Sequence, residues 1–372
     1  MDICFLTIGT FSGNAMMKRV AGLAPHIIAC GHNVAVIAQD TDENRGYFEA
    51  LKGTEQIFLS TSSVVSEIRQ KALVVRERNP DVVYACGWGL RNLPAVLGNT
   101  SVVEHAELFS ENYESTVLQR KKNLVLEWLS VWSADGLVLA SQYLRNRYEK
   151  RDLLNQTKQL YLPYGTDFPA TTTGEYDTGN GPTNRSQEVR ILYMGSLYES
   201  YGIFDIVRTV PQVVADHSLV EYVILGDGPD REAAMGLAES LGVSDHIHFE
   251  GYVDEDVLDD YLACADVFLA PMFDTVKDKA RCPSKIPMYM QYRRPIVTCK
   301  IGEAPSYLGD EGYYYDPDDP ESMAHEIVRA SRHQGPVDYE LERISWVHLA
   351  DNFLTWLQED LSRPQPKQEV LV

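Results

Sequence analysis

The stretch Val189-Arg-Ile-Leu-Tyr-Met194-Gly195-Ser-Leu197 sets an uninterrupted run of strand-forming residues against a glycine. Further on, Tyr222-Val-Ile-Leu225-Gly226-Asp-Gly228-Pro229 repeats the arrangement. Apolar runs of this kind, separated by helix-length segments, make a parallel sheet covered on both faces. The pattern continues through predicted strands at His248–Phe249, Val267–Ala270, Ile296–Thr298 and Tyr313–Tyr315. Working back from Val189, the first half reads alike, with strands expected at Ile3–Ile8, Val34–Ala38, Gln56–Leu59, Val82–Ala85, Ser101–Glu104, Gly136–Ala140 and Gln159–Leu162. Between the first two, Met16, Val20, Leu23 and Ile27 recur at the spacing of one helix face, predicting a helix over Ala15–Ala29.

Two α/β, doubly wound Rossmann-like domains follow, expected at 1–165 and 189–335. The intervening 166–188 is rich in Gly, Thr, Asn and Pro and reads as a linker. An amphipathic stretch within 336–362 predicts a final helix, and residues 363–372 a mobile polar tail. The length of 372 residues suits two cores, as does the 44% hydrophobic content.

Acidic residues outnumber basic ones 54 to 33, giving a net charge of −21. That balance disfavours nucleic-acid binding and broad adhesion to an anionic membrane. A local exception is the run Arg120-Lys121-Lys122, which reads first as a solvated helix face and second as a peripheral membrane or acceptor contact. The six cysteines show no metal-ligand spacing and read as buried thiols. Without a leader-like start or a long apolar run, the chain is expected to be cytoplasmic, at most peripheral at the inner face of a membrane.

Glycines stand where strands end, at Gly9 and Gly13, at Gly195, and at Gly226 and Gly228. In open α/β sheets this is where backbones approach phosphates. Neither G-x-G-x-x-G nor a Walker loop is present, which disfavours a dinucleotide enzyme or an ordinary ATPase.

Taken in order, the segments of the second half resemble the donor domain of family 4 retaining glycosyltransferases of the GT-B fold. They are Tyr-Met-Gly195-Ser-Leu, Tyr201-Gly202-Ile-Phe-Asp-Ile-Val, Gly226-Asp-Gly-Pro-Asp-Arg-Glu232, Gly251-Tyr-Val253, Arg281-Cys-Pro-Ser-Lys285, Arg294-Pro-Ile-Val297 and Gly302-Glu303. The first half is similar more loosely, through Val103-Glu-His105-Ala and Ala134-Asp135-Gly136. The resemblance implies two domains facing across a cleft, the second holding a nucleoside-diphosphate sugar and the first an acceptor. It implies donor-binding roles for Gly13, Ser196, Arg281, Ser284, Lys285, Tyr252, Val253 and Glu303. Lys285 and Arg281 would answer the diphosphate charge, and Tyr252 would stack on the base. His105 matches the histidine beside the transferred sugar and is the expected catalytic residue, while Glu107 and Glu104 would meet acceptor hydroxyls. A Pro-Ser helix cap at Ser284 and a core role for His105 are the bland alternatives.

The chain also departs from the family. Ser196 and Tyr201 stand where the family commonly has Arg and Lys, and Ala280 and Met288 where it has a glutamate pair. Asp274 or Asp278 is the expected substitute for the sugar-contacting carboxylate. The implied reaction moves a hexose-type sugar to a hydroxyl of a glycan, lipid-linked or small-molecule acceptor, with retention and with no metal or cofactor. A noncatalytic GT-B-fold subunit that binds a sugar nucleotide is the alternative, and a sugar-phosphate epimerase or phosphorylase a third reading.

Overall fold

The computed structural model describes residues 1–10, 15–87, 89–111, 115–151, 157–167 and 188–361. They form two compact units. The first comprises the described residues of Met1–Asp167, Ala280–Cys282 and Glu342–Val372, and the second those of Phe168–Lys279 and Pro283–Leu341. The expected linker and tail lie almost wholly outside the described residues.

In the first unit, β1 (Asp2–Leu6), β2 (Asn33–Gln39), β3 (Glu55–Leu59), β4 (Val82–Ala85), β5 (Ser101–His105), β6 (Gly136–Leu139) and β7 (Lys158–Tyr161) line up as β3-β2-β1-β4-β5-β6-β7. Every pairing is parallel. Ile3 to Leu6 are wholly buried, as the continuous apolar run requires of a strand covered on both faces. The Ala15–Ala29 helix buries Met17, Val20, Leu23 and Ile27. Met17 rather than the expected Met16 enters the core. The Met16 sulfur lies instead where a side chain on Gly87 would stand.

The C-terminal Trp346–Trp356 helix completes this unit. A Cβ on Gly22 would overlap the Trp346 ring, and one on Gly136 would overlap Trp356, so each indole rests directly on backbone. Phe353 meets Tyr84 edge-on at 5.6 Å between ring centres. Burial of such aromatic side chains contributes about 1.5–3 kcal/mol each.

The second unit carries β8 (Val189–Met194), β9 (Val220–Leu225), β10 (Ile247–Gly251), β11 (Val267–Ala270), β12 (Ile296–Thr298) and β13 (Tyr313–Tyr314). Their order is β10-β9-β8-β11-β12-β13, again all parallel. The Ile203–Asp216 helix turns Ile203, Ile206, Val207, Val210 and Val213 inward and packs against the Pro320–Ser331 helix. In both sheets the strand order reverses beside the first strand of the unit, between β1 and β4 and between β8 and β11. Such reversals open a crevice beyond the strand ends.

Candidate functional site

In the second unit the crevice is lined by backbone. Gly195 follows β8 with φ +153° and Gly226 follows β9 with φ +121°. A Cβ on Gly226 would overlap the Gly195 carbonyl oxygen, and one on Gly228 the Leu197 carbonyl, so only glycine fits at either turn. Gly226 N donates to Gly251 O at 2.6 Å, and Gly195 N to Leu225 O at 2.9 Å. These bonds tie the ends of β8, β9 and β10 into one ledge.

A cation overlooks this ledge. Lys285 opens the Lys285–Met290 helix, and its Nζ lies 2.8 Å from where a Gly195 Cβ would be. The same Nζ stands 4.2 Å from the centre of the Tyr193 ring, whose hydroxyl donates to Ser196 O at 3.1 Å. The helix is pinned by Tyr289, which stacks on Phe268 at 4.3 Å and accepts from Met194 N at 2.9 Å. Anchoring on the last residue of β8 therefore sets where Lys285 points. No side-chain bond from Ser284 caps this helix, so the cap expected there is made without its hydroxyl.

A second cation was not foreseen. Lys277, on the Val276–Ala280 helix, stands 4.7 Å from the Tyr201 ring centre and donates to Ser200 Oγ at 3.3 Å. Tyr201 is a position at which the resembled family carries lysine, so an ammonium from another segment stands over the tyrosine that replaces it. Next to it Gly202 starts the Ile203–Asp216 helix without a capping side chain and abuts Pro271, the residue after β11. Two ammonium groups and a helix N-terminus thus stand at the ends of β8 and β11. That arrangement suits a multiply charged anion.

The remaining expected donor residues are more dispersed. Tyr252 is 76% exposed beyond β10, beside half-buried Val253. Ser196 is exposed next to Gly195. Glu303 is fully buried and precedes the Ala304–Leu308 helix. Arg281 is half-buried in the tripeptide that clusters with the first unit, where Ala280 O accepts from Ser141 Oγ at 2.6 Å and Cys282 Sγ from Tyr164 N at 3.4 Å. The substitute carboxylates are otherwise engaged. Asp274 pairs with Lys279, and buried Asp278 accepts from Phe273 N at 2.7 Å, closing its own loop.

The first unit places two of the expected residues in buried networks. Glu104 does not face an acceptor: it is fully buried, 2.8 Å from Arg19 Nε, and accepts from the Tyr84 hydroxyl at 2.9 Å. His105 is the last residue of β5 rather than beyond it, and is fully buried. Its Nε2 lies 3.0 Å from Ser130 Oγ and its Nδ1 2.9 Å from the Tyr148 hydroxyl. Burial pushes its pKa down from 6.5 to about 3, so the imidazole is neutral. These are the surroundings of a core histidine. Neighbours in a strand point to opposite faces, which is why Glu104 and His105 serve separate networks. Glu107 is exposed, and Gly13 lies outside the described residues.

Comparison with known proteins bears on the same segments. Residues 188–333 match the family model described as glycosyl transferases group 1. An uncharacterized glycosyltransferase of Methanocaldococcus jannaschii is 23% identical over 369 residues, spanning 88% of this chain and 90% of its own length. A GDP-mannose-dependent phosphatidylinositol monomannoside mannosyltransferase of Mycobacterium tuberculosis is 29% identical over 147 residues, 37% of this chain and 36% of its own length. Among solved structures, WaaG, a glycosyltransferase of lipopolysaccharide biosynthesis, superposes with a TM-score of 0.66 at 17% identity, covering 96% of each chain. HepE of Anabaena, in complex with UDP-glucose, gives 0.65 at 15% identity over 96% of this chain and 95% of its own. At these identities the solved structures establish a shared fold.

Proposed function

We propose, for a chain that belongs to the glycosyl transferases of group 1 and takes the GT-B fold, that it moves a hexose-type sugar from a nucleoside diphosphate to an acceptor hydroxyl. The observation that carries this reading is the Lys285 ammonium over the Gly195 turn, where the glycines leave room for phosphate oxygens. In this reading the glycosyl carbon–oxygen bond to the distal phosphate breaks while the acceptor oxygen attacks the same face. The acceptor proton passes to the departing phosphate oxygen, and the configuration is retained. Lys285, Lys277 and the Ile203 helix terminus take up the negative charge that grows on the diphosphate. Tyr252 stacks on the base and Glu303 belongs to the donor subsite. Arg281 is a further cation for the diphosphate.

His105 acts in this proposal as a positioning residue, holding the end of β5 against Ser130 and Tyr148. The named relatives point to uridine or guanosine as the base and to a lipid-linked acceptor as the first class to assay. The reaction takes place in the cytoplasm and needs no resident metal or cofactor.

The test is a calorimetric screen of the purified protein against UDP, GDP, ADP and their common sugar conjugates. Saturable binding of one base, followed by sugar transfer with retained configuration, is expected. A folded protein that binds none of them would overturn the reading in favour of a noncatalytic subunit, for which the absence of carboxylates at Ala280 and Met288 speaks.

A further inference from the structure

At the edge of the six-stranded sheet, β10 has a hydrogen-bonded neighbour on one side only, β9. The pairing is regular through Ile247, His248 and Phe249, opposite Tyr222, Val223 and Ile224, and then slips. Gly251 stands opposite Leu225, which leaves Glu250 as the extra residue of a β-bulge. A bulge bends its strand and re-aims the residues that follow it. Here they are Gly251, at φ +79°, and the exposed Tyr252. A bulged edge strand is held by fewer ladder bonds than a central one, and Arg231 adds a bond from outside the ladder. It opens the Arg231–Ser240 helix, and its Nη2 donates at 2.9 Å to Phe249 O, the carbonyl at the foot of the bulge. Its backbone N donates to Gly228 O at 3.2 Å, in the turn after β9. On the far side of the bulge, Gly251 O accepts from Gly226 N at 2.6 Å.

The rest of this guanidinium is poorly served. Among the described residues its side chain bonds to Phe249 O alone, and its Nε is buried with no hydrogen-bond partner. Burying a cation with an orphaned donor costs stability, a cost that an apolar side chain at the head of the helix would avoid. Arg231 is therefore explained by what its Nη2 holds. We infer that Arg231 is a positioning residue for recognition of the nucleobase. By fixing the bulge at Phe249 and Glu250, it sets the offset of the Gly251–Val253 loop from the glycine ledge. The inference rests on the donor reading proposed above, in which the ledge receives the diphosphate and Tyr252 stacks on the base. Bases share an aromatic face and differ along their edges. Stacking on Tyr252 thus gives affinity, while selectivity falls to the loop backbone beside it. A loop released from Arg231 loses selectivity, and the ledge keeps its hold on phosphate.

The experiment measures, by calorimetry on the full-length protein, the Kd for UDP, GDP, ADP and inorganic pyrophosphate, with melting temperatures followed alongside. Wild type is expected to bind one of the nucleotides well above the other two, and pyrophosphate more weakly. Arg231→Met lowers affinity for the preferred nucleotide by about ten-fold, the value of one hydrogen bond to a charged group. It narrows the spread among the three nucleotides and leaves pyrophosphate affinity unchanged. Arg231→Lys, whose ammonium can donate to the same carbonyl, restores part of the preference. Deletion of Glu250 removes the bulge while keeping Arg231, and gives the same signature as Arg231→Met. It tests the inference even where that variant folds poorly. A base preference unchanged in both overturns the inference. So does a parallel loss of pyrophosphate affinity, which would make Arg231 part of the phosphate ledge. A wild type that binds no nucleotide overturns the donor reading itself, and the inference with it.

Discussion

Arg19 and Glu104 form an ion pair from which water is wholly excluded, Nε to Oε1 at 2.8 Å, joining the Ala15–Ala29 helix to β5. The guanidinium also donates to Pro163 O at 3.1 Å and lies 4.5 Å from the Tyr164 ring centre. Removing one partner strands the other charge in a dry core. Glu104→Gln is therefore expected to destabilise the protein by about 3–5 kcal/mol in urea unfolding. Replacing both with Arg19→Met and Glu104→Leu should recover much of that loss. A single-variant loss below about 1 kcal/mol would show the pair to be dispensable.

His105 carries a pH dependence of definite sign. The folded chain keeps its imidazole neutral down to about 3, whereas the ordinary value is 6.5. Between those values the unfolded chain binds a proton that the folded chain refuses. Stability is therefore fully present above pH 6.5 and declines on acidification, by at most about 1.4 kcal/mol per pH unit. His105→Gln should flatten that part of the unfolding-versus-pH curve. An unchanged acid limb, together with lost turnover and an unchanged melting temperature, would return His105 to a catalytic role.

Lys285→Ala should weaken binding of the preferred nucleoside diphosphate by about ten- to a hundred-fold, the value of a charge-assisted contact to phosphate. Its side chain is half-buried and its helix is held by Tyr289, so the urea midpoint should barely move. Lys277→Ala should act in the same direction with a smaller effect. Calorimetric affinities indistinguishable from wild type would remove either lysine from the site.

Gly226→Ala and Gly242→Ala make a matched pair. Both glycines have positive φ, +121° and +68°, but a new methyl at Gly226 would overlap the Gly195 carbonyl while one at Gly242 meets nothing within 4 Å. The Gly242 variant should cost about 1 kcal/mol from backbone strain alone. The Gly226 variant should cost about 3 kcal/mol or more and abolish nucleotide binding. Equal costs would mean that the ledge yields readily.

The strands were legible because each is an apolar run bounded by turn residues, a signal carried by neighbours in the chain. The β8 run was placed to the residue, and β1 ended two residues short of the expected Ile8. The glycine ledge and Lys285 were legible from segment order. Other features depend on distance in space. Arg19 and Glu104 lie 85 positions apart, and nothing at either position announces the other. Lys277 belongs to a segment longer than its family counterpart, so motif matching passed over it. The basic run at Arg120 read as a solvated face. Only the inward partners of Glu127 and Ser130 reveal which side of that helix faces out.

Trp346 and Trp356 rest on Gly22 and Gly136, so the seven-stranded unit is closed by residues from the far end of the chain. On a ribosome those residues are made after every strand of both sheets, at roughly 5–20 per second. The six-stranded unit falls almost entirely between Phe168 and Leu341, so its last residues are made just ahead of the indoles. The opening half of the chain thus spends synthesis with its seat at Gly22 bare. The order in which the two halves can finish folding runs opposite to the order in which they are translated.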